Sequence, residues 1–242
     1  MKTNRFLSYL FISFFSISAN AQSVNVGGIF PTVDLSGSLN AKLDYGLYYF
    51  AAVPLVNFEH PNFSKDANFN LFYSEQSLSY KLNSNLSFTG SYVFQRSNVL
   101  SDNYTNENRF YLQSKYKQNF KSFELSHRLR FDGRFIQDRI TKSAPFTHRV
   151  RYQLGVSKPI TENLYFTAYE EAFFNTYKNA DVVFGENWSY AAIGKNLNEN
   201  NKLEAGVLFV TWNTGPKSWF NQYYFQATWI SHLSFKQNRK TK

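Results

Sequence analysis

The stretch Asn106–Gln137, NENRFYLQSKYKQNFKSFELSHRLRFDGRFIQ, decides the fold, because apolar and polar residues alternate along both of its arms. Successive side chains of a β-strand point to opposite faces, so this alternation predicts two strands joined by the tight connection Asn119-Phe120-Lys121. The apolar face carries Phe110, Leu112, Tyr116, Phe123, Leu125, Leu129, Phe131 and Phe135. The opposite face carries mainly charged residues. The stretch therefore predicts a β-hairpin with one apolar and one ionic side.

The same rhythm continues on both sides of this hairpin. Further alternating stretches lie at 39–53, 68–82, 86–95, 146–157, 163–175, 182–195, 202–212 and 219–235. The connections between strands are short near residues 36, 84, 120, 159 and 198, and longer near 60, 101, 141, 179 and 216. Short turns alternating with longer loops are typical of bacterial outer-membrane barrels, where the turns are periplasmic and the loops external.

The predicted fold class is all-β, an antiparallel transmembrane β-barrel. Ten strands are the simplest count, because an even number places both chain ends at the periplasmic rim. Residues 22–35 are only weakly patterned, and Pro31 would interrupt a ladder unless it lies at an edge or a strand start. If this segment contributes to the sheet, twelve strands are the alternative.

The N-terminus has the organisation of a secretory signal peptide. Lys2 and Arg5 precede an uncharged run at 6–17, and Ala19-Asn20-Ala21 has the small-residue pattern of a cleavage site. The apolar run is too short for a membrane-spanning helix, which needs about 20 residues. We therefore predict three segments: a signal peptide at 1–21, the barrel at 22–235 and a disordered basic tail at 236–242.

Composition narrows the class of protein further. The formal net charge is +9, and it falls to +7 when Lys2 and Arg5 are removed with the signal peptide. Nucleic acid is not an expected partner of an exported chain, so the cations are expected to neutralise carboxylates or face anionic lipid. There is no cysteine, which excludes disulfides and thiol chemistry. With 26 Phe and 17 Tyr but no long apolar run, the chain has the composition of a membrane barrel.

A soluble sandwich or lipocalin-like barrel would show the same alternation, with Phe and Leu inside and Arg outside. The sequence favours the membrane barrel for three reasons. Its predicted strands are long, its connections are unequal, and Tyr and Trp concentrate near strand ends, as at Trp188, Tyr223 and Tyr224. We therefore expect the protein in the outer membrane of a Gram-negative bacterium.

Four short segments carry a family resemblance: ENRFYL at 107–112, HRLRF at 127–131, RVRY at 149–152 and YEEAFFN at 169–175. Together they resemble the exported family known as domain of unknown function 2490. The resemblance implies an outer-membrane β-barrel and carries no known activity. The chain departs from the family pattern at Glu170, where a neutral polar residue is expected, and in a longer first external loop.

If the apolar face meets lipid, the charged face lines the lumen. The residues expected there are Glu107, Arg109, Glu124, Arg128, Arg130, Asp132, Arg134, Arg149, Arg151, Glu171 and Glu204. Because an unpaired buried charge is costly, one interpretation is a ladder of Arg–carboxylate pairs that fills the lumen. The other is a narrow, anion-preferring passage or binding pocket lined by the excess arginine.

Enzymatic chemistry has weaker support, although a lipid-binding or lipid-modifying barrel remains the alternative function. His127 faces outward but Ser126 faces the other way, and no serine is placed beside His148; His232 faces inward, and His60 lies in a loop. The segments 64–66 and 101–103 contain acidic loop residues, but we expect no metal and no cofactor. The expected partners are outer-membrane lipid and, during insertion, the barrel-assembly machinery. The oligomeric state is left open.

Overall fold

The computed structural model describes residues 22–57, 69–177, 180, 183–215 and 218–233. Within these ranges the chain forms a closed β-barrel of eleven strands. The strands are β1 (Gln22–Ser38), β2 (Leu43–Asn57), β3 (Leu71–Lys81), β4 (Leu86–Ser97), β5 (Thr105–Asn119), β6 (Glu124–Ile136), β7 (Phe146–Pro159), β8 (Leu164–Asn175), β9 (Phe184–Asn196), β10 (Asn201–Gly215) and β11 (Ser218–His232). No helix among the described residues is long and apolar enough to cross a membrane.

Each strand pairs antiparallel with the next, and a parallel pair between β1 and β11 closes the barrel. The parallel register runs from Gln22↔Ser218 to Ser36↔His232. The prediction of ten strands, or of twelve, is therefore wrong. It assumed that both chain ends lie at one rim, whereas an odd number of consecutive hairpin-linked strands makes the first and last strands run in the same direction.

Strand β1 forms even though it contains Pro31. This residue pairs with Ala227 in the parallel ladder, and the register with β2 is the same on either side of it, at Ile29↔Val53 and at Thr32↔Phe50. The ladder between β1 and β2 shifts at Gly27/Gly28. A Cβ atom on Gly28 would lie 2.2 Å from the carbonyl oxygen of Val53, so the close approach of the two backbones requires glycine there.

One end of the barrel carries the short turns. They span 39–42, 82–85, 120–123, 160–163 and 197–200. The expectation that the strand begins at Leu39 is wrong, because Asn40 Oδ1 accepts hydrogen bonds from the amides of Lys42 and Leu43 at 2.9 and 3.0 Å. Hydrogen bonds of this kind between a side chain and the backbone stabilise a turn, so these residues do not join the β-ladder.

The opposite end carries longer connections at 98–104, 137–145 and 176–183. The connection near 216 is shorter than expected, since two residues separate β10 from β11. The predicted loop near residue 60, the signal peptide at 1–21, His60, the segment 64–66 and the tail at 236–242 all lie outside the described residues.

The two faces of the barrel have opposite polarity. Outward side chains are apolar and exposed, as in Leu112 (71%), Val207 (63%) and Phe225 (56%). Inward side chains include Asp132 at 0% and Glu171 at 1% exposure. This polarity is the reverse of the soluble alternative, which would place Phe and Leu inside and Arg outside.

Candidate functional site in the barrel lumen

The lumen has two unlike walls. The ionic wall consists of inward charged side chains of the neighbouring strands β5–β8: Glu107, Arg109, Arg128, Arg130, Asp132, Arg134, Arg149, Arg151 and Glu171. The aromatic wall consists of inward side chains of β1–β3 and β9–β11: Phe30, Phe50, Tyr73, Trp188, Leu208, Val210 and Tyr224. Period-two alternation in long strands places each set on the inner surface.

Glu107 organises the loop end of the ionic wall. Its Oε1 accepts from Arg109 Nη2 at 2.7 Å and from Arg134 Nε at 2.7 Å. Arg134 Nη2 also donates to Glu107 Oε2 at 2.9 Å, which makes this a two-bond contact between guanidinium and carboxylate. Such bidentate pairs are the strongest and most directional of the charge-assisted hydrogen bonds.

Asp132 holds the middle of the wall. Its Oδ2 accepts from Arg149 Nε at 2.7 Å, and Arg151 Nη1 lies 3.7 Å away. The side chain is completely buried, and Oδ1 has no hydrogen-bond partner among the described residues. Two buried arginines therefore share this carboxylate.

Glu171 on β8 connects the next pair of arginines. Arg151 Nε donates to Oε1 at 2.8 Å, and Arg128 Nη2 donates to Oε2 at 2.6 Å. Gln153 adds a longer bond of 3.3 Å to Oε2. Because Arg128 belongs to β6, this carboxylate links side chains across three strands.

Within the ionic wall, Arg130 is the arginine with the weakest neutralisation. Its Nε and Nη2 donate to Gln113 Oε1 at 2.9 and 2.7 Å, and its guanidinium lies 3.7 Å from the Tyr111 ring centre. In the described part of the chain, the carboxylate within salt-bridge range is Glu75, at 3.7 Å. Both oxygens of Glu75 already accept from the hydroxyls of Tyr73 and Tyr111, at 2.7 and 2.5 Å.

Two of the residues expected among these ion pairs lie apart from the arginine cluster. Glu124 pairs with Lys117 at 3.1 Å near the short-turn end. Glu204 accepts hydrogen bonds from the hydroxyls of Tyr165 and Tyr190 at 2.8 and 3.1 Å. Gly194 makes room for this, since a Cβ there would lie 2.1 Å from the Tyr165 ring.

Sequence reasoning missed two carboxylates that join the cluster, Glu75 and Glu186. Glu186 lies 3.2 Å from Arg149 Nη1 and accepts from the indole nitrogens of Trp188 and Trp212, both at 2.6 Å. The period-two pattern of β3 and β9 could have placed both residues inside, but the outward faces of these strands are less apolar than those of β5–β8.

The aromatic wall crosses the interior. Phe50 stacks on Phe30 at 4.5 Å and on Tyr73 at 4.4 Å between ring centres. Trp188 lies on β9, and three strands, β10, β11 and β1, separate β9 from the strand of Phe50. The ring centre of Trp188 is nevertheless 6.1 Å from that of Phe50 and 5.8 Å from that of Phe173 on β8. The rings therefore connect strands that do not pair in the sheet.

A cavity of about 400 Å³ lies between the two walls. Its lining includes Arg128, Arg130 and Arg151 on one side and Phe50 and Trp188 on the other. The cavity offers cationic and aromatic surface to the same space.

The described histidines, His127, His148 and His232, form no catalytic arrangement of the kind sought in the sequence. Outward His127 and His148 contact Tyr152 and Thr176, each at 2.7 Å. His232 Nδ1 lies 3.2 Å from Ser36 Oγ at the short-turn rim. Among the residues that the structure describes, no three His, Asp or Glu side chains are grouped to hold a metal ion.

Outside this cluster, Glu170 lies on the outward face of β8. Its Oε1 accepts from the amide of Asn187 on β9, and the side chain is half-buried. The register of β8 and β9 is continuous around it, with Glu170↔Ser189 and Ala172↔Asn187.

No curated protein matches this chain. Among solved structures, the anion-selective porin from Comamonas acidovorans is similar at 13% identity and a TM-score of 0.36. The match covers 78% of this chain but 55% of that porin, so the chain spans about half the porin's length. A family model described as "Protein of unknown function (DUF2490)" matches residues 33–221. The protein belongs to this family, as the sequence resemblance predicted.

Proposed function

We propose that the protein is a bacterial outer-membrane β-barrel whose lumen is closed by the contact of its ionic and aromatic walls. The observation that carries the proposal is the reversed polarity of the barrel, with exposed Phe, Leu and Val outside and buried Arg, Asp and Glu inside. Apolar surface of this extent is unfavourable in water and favourable in lipid.

The backbone also suits a bilayer. Lipid offers no hydrogen-bond partners, so a spanning sheet must have no free edges, and the β1–β11 pair removes them. The strands have between 11 and 17 residues, while a tilted crossing needs about 9–11. Each strand is long enough to cross and extend beyond the hydrocarbon layer.

Closure of the lumen is supported by its packing. Phe30, Phe50 and Trp188 form ring contacts across the interior, and Phe173 carries Arg149 and Arg151 over its face at 4.8 and 4.2 Å. The lumen is therefore occupied from both walls. Such a barrel holds a fixed interior and conducts no ions at rest.

A narrow anion-preferring passage is the second candidate, and it has a specific observation in its favour. Six arginines meet five carboxylates in the cluster: Arg109, Arg128, Arg130, Arg134, Arg149 and Arg151 against Glu75, Glu107, Asp132, Glu171 and Glu186. The excess positive charge would favour anions if water filled the space between the walls.

Reconstitution tests both parts of the proposal. The full chain is expressed with export, its mature N-terminus is read by mass spectrometry, and the purified barrel is inserted into planar bilayers in asymmetric potassium chloride. We expect folded protein that requires detergent, begins at Gln22 and gives no current steps. Soluble, monomeric protein without detergent would overturn the membrane assignment. Discrete steps that reverse toward the chloride potential would overturn closure and establish the passage.

A further inference from the structure

We propose that the lumen cavity is a binding site for a small aromatic carboxylate, a planar ring that bears one negative charge. This inference rests on the proposed function, because closure of the lumen makes the cavity a pocket and not a part of a water-filled passage. The proposal follows from three features of the lining: unfilled cationic donors, aromatic surface opposite them, and carboxylates that limit the charge of the ligand.

The unfilled donors belong to Arg128 and Arg130. The Nε of Arg128 is buried without a hydrogen-bond partner among the described residues. Arg130 is 7% exposed at its side chain and has Glu75 at 3.7 Å as its carboxylate neighbour. Both line the cavity. Arg128 keeps Glu171 at 2.6 Å, so its free donor is Nε alone. Arg130 lacks a close carboxylate, and a buried guanidinium of this kind gains most from an incoming anion.

Aromatic side chains form the rest of the site. Phe50, Trp188 and Phe173 line the same cavity, and their rings already contact one another. Phe50 already stacks on both Phe30 and Tyr73, so a ligand ring would meet its edge while the charged end of the ligand reaches the arginines. The volume of about 400 Å³ lies in the lower part of the range of small-molecule sites, about 300–1,000 Å³.

The fixed carboxylates argue for a single negative charge. Glu75, Glu171 and Glu186 line the cavity together with the arginines. They would repel a phosphate dianion, whereas one carboxylate can take a planar, two-bond contact with a guanidinium. A long alkyl chain also fits poorly, because the lining alternates aromatic rings with polar groups.

Benzoate is the probe for this site. The folded barrel in detergent micelles is titrated with 4-fluorobenzoate and followed by ¹⁹F NMR, with empty micelles correcting for partition. Benzyl alcohol has the ring but no carboxylate, so it tests the need for the negative charge. Acetate has the carboxylate but no ring, so it tests the need for the aromatic ring. The variants are Arg130→Gln and Trp188→Leu, and Arg96→Gln is the matched control. Arg96 lies near the loop rim, bonds Asn106 at 3.0 Å and stands outside the cavity lining.

We expect one saturable site for benzoate, with benzyl alcohol and acetate each at least about tenfold weaker, the effect of losing one charge-assisted contact. Arg130→Gln and Trp188→Leu should weaken binding by a similar factor, and Arg96→Gln should leave it unchanged. Absence of saturation in folded parent protein, or equal effects of Arg130→Gln and Arg96→Gln, would overturn the site.

These outcomes are separable from failure of the proposed function. Protein that inserts and is silent but does not bind benzoate contradicts the ligand site alone. Protein that binds benzoate while soluble without detergent contradicts the membrane assignment alone. If Arg130→Gln does not fold, Trp188→Leu and the benzyl alcohol comparison still decide the proposal.

Discussion

The ionic wall and the aromatic wall fill the barrel interior through different kinds of interaction. Both fill the interior of one barrel, yet the ionic wall relies on directional bonds such as Arg149 to Asp132, while the aromatic wall relies on ring contacts such as Phe30 to Phe50. Removing one partner of a buried ion pair strongly lowers the stability of the fold, because the remaining charge is buried without a partner. Aromatic packing loses contacts in proportion to the atoms removed. The two walls should therefore fail differently when mutated.

The largest effect is expected from Asp132→Ala in the ionic wall. The change removes the carboxylate 2.7 Å from Arg149 and leaves Arg149 and Arg151 buried with fewer partners. We expect the free energy of unfolding to fall by about 3–5 kcal/mol, the usual cost of breaking a buried pair. Urea unfolding from lipid vesicles, followed by tryptophan fluorescence, measures it.

The control for this prediction is Asp44→Ala. Asp44 pairs with Lys81 at 2.6 Å near the short-turn end, where the Lys81 side chain is 43% exposed. An exposed pair contributes about 0–1 kcal/mol, so this variant should unfold close to the parent. Equal losses in the two variants would mean that burial does not distinguish the ion pairs of the ionic wall.

In the aromatic wall, Phe50→Ala should cost about 3 kcal/mol, because it removes ring contacts to Phe30, Tyr73 and Trp188. It should also create a gap between the walls, so that bilayer recordings of the variant show current where the parent shows none. Phe88→Ala is the matched control, since Phe88 faces outward and is 47% exposed. If both variants are silent, Phe50 does not block the lumen.

Within the ionic wall, Arg130→Gln should be milder than Arg149→Gln. Arg130 has its carboxylate neighbour at 3.7 Å, and Glu75 keeps both tyrosine hydroxyls when the arginine is gone. Loss of Arg149 instead removes a salt-bridge partner from both Asp132 and Glu186. We expect unfolding free energies lower by about 1–2 and about 3 kcal/mol respectively. The reverse order in the same urea assay would show that Arg130 is better neutralised than its contacts indicate.

The ionic wall was predictable from sequence to an unusual degree, and the aromatic wall was not. In β5–β8 most outward residues are apolar, so alternation placed side chains such as Arg109, Asp132 and Glu171 on one face. Which arginine meets which carboxylate was beyond that reasoning. Arg128 reaches Glu171 across β7, a contact that depends on barrel curvature and side-chain length.

The aromatic wall was hidden for a related reason. Phe30, Phe50 and Tyr73 belong to strands whose two faces are both partly apolar, so period two gives a weak signal. The prediction failed mainly for strand β1. Pro31 argues against a central strand, and β11, the parallel partner of β1, lies at the other end of the chain. Pro31 is compatible with the parallel ladder, but sequence alone cannot locate that ladder.

The smallest effect is expected outside both walls, in the 137–145 connection that joins two strands of the ionic wall. Asp138 Oδ1 accepts from the amide and the hydroxyl of Thr141 at 2.7 and 2.9 Å and from the amide of Ile140 at 2.9 Å. These bonds hold the pKa of its carboxyl below the ordinary range of aspartate. Because the pKa is lowered in the folded loop, the stabilisation is present above the unfolded pKa of about 4 and is lost as pH falls through the lower, folded value. Asp138→Ala should speed hydrogen exchange at the Ile140 and Thr141 amides while the global unfolding midpoint stays that of the parent. A shifted midpoint would mean that the connection is coupled to the ionic wall.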